Sequence, residues 1–263
     1  MPPPVQTVLP FAGIAAPSSV AVDGAGSVYA TDLGRLLKIA AGSSNSTELP
    51  LAGSPRAHGV TVDGAGNLYL VTDDRRVIKL DAKSSQSTVL AFTGPDHPQG
   101  GSSFAAVAVD GTGDIYVADT GLGRVLKLAA GSNVQAVVPI PDFDGPSSVA
   151  VDAAGDVYVT EESRTARVLR LAQGSSTPVA LPFTGLVFPS AVAVDDRGDV
   201  YVADSTNNRV VALAARSTSQ VVLPFTGLQN PSGVAVDRAG NVYVADFRGD
   251  RVLKLAAGAI RWG

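Results

Sequence analysis

Counting back five residues from the aspartate that closes a Val-Ala-Val-Asp phrase, or a near variant of it, gives Ser18, His58, Ala105, Ser147, Ser190 and Ser232. Four hydroxyls and one imidazole at a single repeat position would form a ring if the repeats surround an axis. Such a ring can hold a polar group of a sugar or a peptide, and an imidazole can both donate and accept a hydrogen bond. The same residues also serve as ordinary hydrogen-bond partners in a channel wall, so the pattern marks a place rather than a reaction. The segments that break the repeat add Arg56, the insertion from Pro95 to Ser103 with His97, Asp142-Phe143-Asp144, Glu161-Glu162-Ser163-Arg164, Phe188, Asn207-Asn208 and Phe247-Arg248. Irregular loops on a regular scaffold are where recognition is usually carried. The candidate ligand-binding residues are therefore Ser18, His58, Ser147, Ser190, Ser232, Phe188, Phe247 and Arg248.

Metal chemistry finds few donors. There is no cysteine, and the two histidines, His58 and His97, do not complete a zinc set. Asp110-Gly111-Thr112-Gly113-Asp114 has the look of a calcium loop, but it recurs as Asp63-Gly64-Ala65-Gly66-Asn67 and lacks the closing bidentate glutamate, so it reads as a hairpin turn. An acid (Asp32, Asp73, Asp119, Glu161, Asp204, Asp246) and an arginine (Arg35, Arg76, Arg124, Arg167, Arg209, Arg251) recur in every repeat. A group present in all copies belongs first to the scaffold. The residues point to no catalytic set, no metal and no cofactor.

The elements that must position these side chains follow from the repetition. The Asp of the phrase falls at 23, 63, 110, 152, 195 and 237, and six residues beyond each stands a tyrosine: Tyr29, Tyr69, Tyr116, Tyr158, Tyr201 and Tyr243. Each unit holds four short Val- and Leu-rich runs separated by Gly, Asp, Ser and Pro, the signature of a four-stranded antiparallel sheet. The first run is apolar at consecutive positions, as in a strand covered on both faces. Its small central residue lets six sheets converge on an axis. The sequence predicts an all-β, six-bladed β-propeller in one domain, with blades at about 12–51, 52–92, 104–141, 146–183, 188–225 and 230–258. The sixth unit stops after its third run, and residues 5–11, containing Thr7-Val8-Leu9-Pro10-Phe11, are expected to supply the missing strand. Deleting residues 1–11 is then expected to destabilise the whole ring.

Bulk properties agree. Hydrophobic residues make up 45% of the 263 but aromatic ones only 6%, which suits many thin layers. A formal charge of -4 offers no pull on phosphate backbones, which argues against nucleic acid as a partner. No run is long and apolar enough to span a bilayer.

The stretch from Phe225 to Asp246, Phe-Thr-Gly-Leu-Gln-Asn-Pro-Ser-Gly-Val-Ala-Val-Asp-Arg-Ala-Gly-Asn-Val-Tyr-Val-Ala-Asp, followed by Arg251-Val252-Leu253-Lys254-Leu255, resembles the NHL repeat. With its Leu-Pro-Phe-Thr-Gly and Leu-Ala-Ala-Gly-Ser spacers the chain is most similar to the extracellular sensor domains of mycobacterial transmembrane serine/threonine kinases of the protein kinase D group. The resemblance covers about Thr7 to Gly258. It implies a non-catalytic sensor on the outer face of the cell membrane, belonging to a single-pass protein anchored through a segment absent from this chain. Its partner would be an extracellular sugar, peptide or cell-wall fragment. The alternative is a metal-dependent hydrolase or lyase, since related six-bladed folds include lactonases and amidating lyases with metals in the channel.

Overall fold

The computed structural model describes residues 6–262 apart from 52, 54, 93–103, 142 and 163–165. Six four-stranded antiparallel sheets stand around a central channel. From the channel outwards, blade 1 runs Pro17–Val22, Val28–Asp32, Arg35–Ile39 and Ser46–Leu49, and blade 2 runs Ala57–Val62, Leu68–Thr72, Val77–Leu80 and Ser87–Val89. Blade 3 is Phe104–Val109, Ile115–Asp119, Arg124–Leu128 and Gln135–Val137, and blade 4 is Pro146–Val151, Val157–Glu161, Arg167–Leu171 and Val179–Ala180. Blade 5 is Pro189–Val194, Val200–Asp204, Arg209–Leu213 and Gln220–Val222. Blade 6 takes Pro231–Val236, Val242–Asp246 and Arg251–Leu255 from the C-terminal end and Gln6–Val8 from the N-terminal end.

That last pairing closes the ring. Gln6 lies opposite Leu255, Thr7 opposite Lys254 and Val8 opposite Leu253, and the Leu9 N–H donates to Val252 O at 2.9 Å. Gln6 also clips to blade 5, its side-chain amide exchanging two hydrogen bonds with the backbone of Thr226 at 3.2 and 2.8 Å. Phe11 follows and is buried. Val5, placed in the closing strand by the sequence, lies outside the described residues.

The six-residue spacing from Asp to Tyr has a direct cause. Asp23 Oδ1 accepts the N–H groups of Ala25 and Ser27, which folds the hairpin between the first two strands, while Oδ2 accepts the Tyr29 hydroxyl at 3.0 Å. Every blade repeats this tyrosine-to-aspartate bond, from 2.9 Å at Tyr243 to 3.3 Å at Tyr201. Gly26 and its equivalents take a positive φ, +89° at Gly26, that the tight turn demands. The second strand of each blade is buried at all five positions, and Val, Leu and Ala from adjacent blades fill the space between sheets. Among the described residues no helix is long and apolar enough to cross a membrane.

Candidate functional site

Each inner strand begins with a β-bulge, and the bulged residue is Ser18, His58, Ala105, Ser147, Ser190 or Ser232. An extra residue at the head of a strand turns its side chain out of the ladder. Here it turns toward the next blade. Ser147 Oγ donates to Pro189 O at 2.6 Å, Ser190 Oγ to Pro231 O at 2.9 Å and Ser232 Oγ to Pro17 O at 2.6 Å. Ser18 Oγ donates to His58 O at 2.8 Å, and His58 Nε2 reaches Phe104 O. Blade 3 has only Ala105 at this place, and Thr120 Oγ1 makes the equivalent bond to Pro146 O at 2.6 Å. The ring foreseen from the sequence is thus brought together at one end of a cavity of about 210 Å³ lined by the inner strands. Each serine hydroxyl has a carbonyl of the next blade as an acceptor for its single proton, and Ser18 and Ser147 also stand 2.9 and 2.8 Å from the hydroxyls of Thr31 and Thr160. What these hydroxyls can offer a ligand is lone pairs.

A second ring stands one residue beyond the end of each second strand: Leu33, Asp73, Thr120, Glu162, Ser205 and Phe247. A third precedes each inner strand and includes Ala16, Arg56, Gly145, Phe188 and Asn230. Phe188 sits at φ +67° with 42% of its surface exposed, and Phe247 is 38% exposed beside the exposed Arg248. The positive φ before a proline recurs at Ala16, Gly145 and Asn230 and so belongs to the repeat; what sets blade 5 apart is that an exposed aromatic occupies the place. The insertion with His97, together with Asp142, Ser163 and Arg164, lies outside the described residues.

Blade 2 concentrates charge in all three rings, with Arg56, His58 and Asp73. In blades 1, 3, 4, 5 and 6 the last residue of the second strand is a buried acid paired with the arginine that opens the third strand, as in Asp204 to Arg209 Nε at 2.7 Å and Asp246 to Arg251 Nε at 2.9 Å. In four of these the acid also accepts a backbone N–H from the incoming loop, that of Ala15, Asp144, Val187 or Gln229. The matching residue of blade 2 is Pro55, which has no N–H to give. Thr72 takes the buried place of the acid, and the carboxylate moves on one residue to Asp73. There it is more than half exposed, with Oδ1 3.1 Å from His58 Nδ1 and Oδ2 3.7 Å from Arg56 Nε. The one-residue lag is visible in the sequence; its outcome, an imidazole and a carboxylate brought together, needs the bulge geometry. Across the mouth Glu162 carries a carboxyl held above the ordinary glutamate range because burial disfavours its charge.

The profile of the family described as "SMP-30/Gluconolactonase/LRE-like region" matches residues 16–258. The chain belongs to this family. No curated protein is similar in sequence. Among solved structures, a gluconolactonase from Xanthomonas campestris superimposes with a TM-score of 0.75 at 18% identity, over 95% of this chain and 89% of that one. A catalytically inactive histidine-to-alanine variant of virginiamycin B lyase from Staphylococcus aureus, solved with quinupristin, gives 0.67 at 13% identity, over 91% and 80%. A structure of a nidogen/laminin complex gives 0.76 at 16% identity, over 88% and 89%. These likenesses carry the fold. The family overturns the expectation of a non-catalytic chain, because gluconolactonase stands in its description and both a gluconolactonase and a lyase share the architecture. The propeller part of the resemblance holds, and none of these matches links the chain to a kinase sensor domain. Short Val-Ala-Val-Asp blades are common ground for many propellers, so the repeat phrase led to the fold and not to the relatives.

The channel-bound metal of the sequence alternative can be tested against the donors. Among the described residues no three His, Cys, Asp or Glu side chains gather in one place. The buried acids are bound to arginines, and the guanidinium of Arg56 stands beside Asp73. The described residues do not fit a resident divalent cation.

Proposed function

We propose that this SMP-30/gluconolactonase/LRE-like protein is a propeller enzyme of hydrolase or lyase type that opens ester rings at the channel mouth by acid-base chemistry. The observation that carries the reading is the His58–Asp73 pair, where a carboxylate 3.1 Å from Nδ1 holds an imidazole at the end of the channel. A carboxylate in that position orients the ring, keeps the proton on Nδ1 and stabilises the imidazolium that forms when Nε2 takes a second proton. In this conformation both ring nitrogens face acceptors, Asp73 and Phe104 O, so each donates a proton. Nε2 becomes the base only when the Phe104 contact opens and its proton has left to solvent, and a substrate oxygen or water then meets the nitrogen that moves the proton. Hydrolysis would use Nε2 to deprotonate water at the ester carbonyl and then to protonate the departing alkoxide. Elimination would use it on a C–H next to the breaking C–O bond. In both, the proton removed in the first step is returned to the leaving oxygen.

The remaining candidates become substrate contacts in this reading. Ser18, Ser147, Ser190 and Ser232 present lone pairs to a substrate hydroxyl or amide, while Phe188, Phe247 and Arg248 bound it on the far rim. The substrate takes the place of the polar extracellular ligand expected from the sequence.

A panel of sugar lactones together with quinupristin tests the proposal. Ring opening is expected for at least one substrate class, falling about a hundredfold in His58→Ala, in line with the loss of a general acid-base group. Because His58 also clasps Phe104, Asp73→Asn serves as the companion variant. It should keep the wild-type melting temperature and still lose about tenfold or more in kcat. Full activity in both variants, or no turnover on the whole panel, overturns the assignment.

A further inference from the structure

The chain fills one of its own inter-blade grooves. Residues 260–262 leave blade 6 and turn back, and Ile260 and Trp262 pack on the apolar cluster between blades 5 and 6. Trp262 meets Tyr201 edge to face, with ring centroids 6.2 Å apart and an interplanar angle of 66°. Blade 5 makes room for it. Opposite Tyr201 on the third strand stands Ala212, whereas blades 1, 2, 3 and 6 have a lysine lying over the tyrosine ring, as at Lys127 over Tyr116, 5.1 Å from its centroid.

The repeat-equivalent groove between blades 3 and 4 is a second cavity, of about 400 Å³. Its wall is built from the counterparts of the occupied groove. Tyr116 matches Tyr201, Lys127 matches Ala212, Ala136 matches Val221, and across the gap Val157 and Leu171 match Val242 and Leu255. Two grooves of one ancestry, one filled by an Ile-Arg-Trp segment, say what the other is shaped to take.

We infer that the groove between blades 3 and 4 is a docking site for a peptide segment carrying an indole beside an aliphatic residue, of the same chemistry as the tail in the groove between blades 5 and 6. The indole stacks edge-on against Tyr116 as Trp262 does against Tyr201, and the aliphatic residue covers Val157 and Leu171. Lys127 is the gate. It bonds to Asp114 at 2.7 Å and covers the tyrosine face, so it must swing aside when the ring enters.

Trp262 is the single tryptophan of the chain, which supplies the test. In a Trp262→Phe background the protein keeps an aromatic tail and becomes silent to tryptophan excitation, so a peptide Ala-Gly-Ala-Ile-Arg-Trp-Gly reports its own binding by a saturable blue shift. Lys127→Ala, which gives blade 3 the residue that blade 5 has, should tighten binding roughly three- to tenfold, the range of one aromatic contact. Ala136→Arg, at an exposed wall position, should abolish it, with circular dichroism melts showing both variants folded. Equal affinity in all three proteins places the peptide elsewhere and overturns the inference, as does the absence of a saturable shift. Equal affinity for the peptide and for N-acetyl-tryptophanamide overturns the peptide part by making the groove a small-indole site. Ring-opening activity plays no part in this readout, so the site at His58 stands or falls separately.

Discussion

Blade 2 and blade 5 begin from the same plan and end with opposite uses of a carboxylate. In blade 5, Asp204 is fully buried, bonded to Arg209 and to the N–H of Val187, and is part of the wall. In blade 2, Pro55 removes the backbone donor, Thr72 takes the buried place, and Asp73 stands at the mouth against His58. Successive residues of a strand point to opposite sides, so a shift of one position is enough to take a charge from the scaffold to the solvent. The arginine of blade 2 is rewired accordingly. Arg76 pairs through a terminal nitrogen with Asp74, and its Nε is buried with no hydrogen-bond partner among the described residues, at the place where Arg209 and Arg251 meet their acids.

The largest effect that would sharpen this contrast is on stability. Asp204→Ala leaves a guanidinium and a backbone N–H without their acceptor and should cost about 3 kcal/mol in chemical denaturation. Asp73→Ala should stay within about 0.5 kcal/mol. Equal losses would make Asp73 another wall residue and break the comparison.

The next effect concerns the opposite end of the channel, where blade 2 conforms. Tyr69 bonds to Asp63 as the other tyrosines bond to theirs, and all six phenols are pushed up, Tyr29 to about 12, by burial and by the adjacent carboxylate. A folded-state value above the unfolded one near 10 means the folded protein holds the phenolic proton more tightly. The stability this represents is complete below pH 10 and is lost as pH rises toward and past 12. Thermal melts should therefore be flat up to about pH 10 and fall beyond it, and Tyr69→Phe and Tyr29→Phe should reduce the fall alike. A change confined to Tyr29→Phe would show that blade 2 departs from the plan at both ends.

The smallest effect is a coupling. Thr72→Asp alone buries an acid near Arg76 without the N–H it needs, whereas Thr72→Asp with Pro55→Val restores the complete set. A double-mutant cycle should show about 1 kcal/mol of favourable interaction. Additive changes would mean that Pro55 and Thr72 vary independently.

The fold was legible because its determinants recur in one dimension. The Asp and Tyr six residues apart are a hairpin cap and its partner, and Thr7-Val8-Leu9 supplies the strand that the last unit lacks. The ring of Ser18, His58, Ser147, Ser190 and Ser232 was legible as a place, because equal repeat positions must converge. Its chemistry was not, since a serine that has given its proton to the next blade looks the same in sequence as a free one. Thr120 doing the work missing at Ala105, and Ala212 clearing the way for Trp262, depend on neighbours 15 and 50 residues away that no local pattern joins. The hydrolase or lyase reading stood only as the alternative, because the repeat phrase carries the scaffold and a scaffold does not by itself fix an activity; the family match moves it ahead of the sensor reading.

The bonds from each blade to the carbonyl of the blade that follows, made by the inner strand in five blades and by Thr120 in blade 3, all run the same way round the axis, from blade 1 through blade 6 and back to Pro17. Such a circle has no privileged first member. The joint between the two chain ends lies inside blade 6 and interrupts none of these seams, so a polypeptide cut at another loop and rejoined through residues 6 and 258 would inherit the same sequence of handholds.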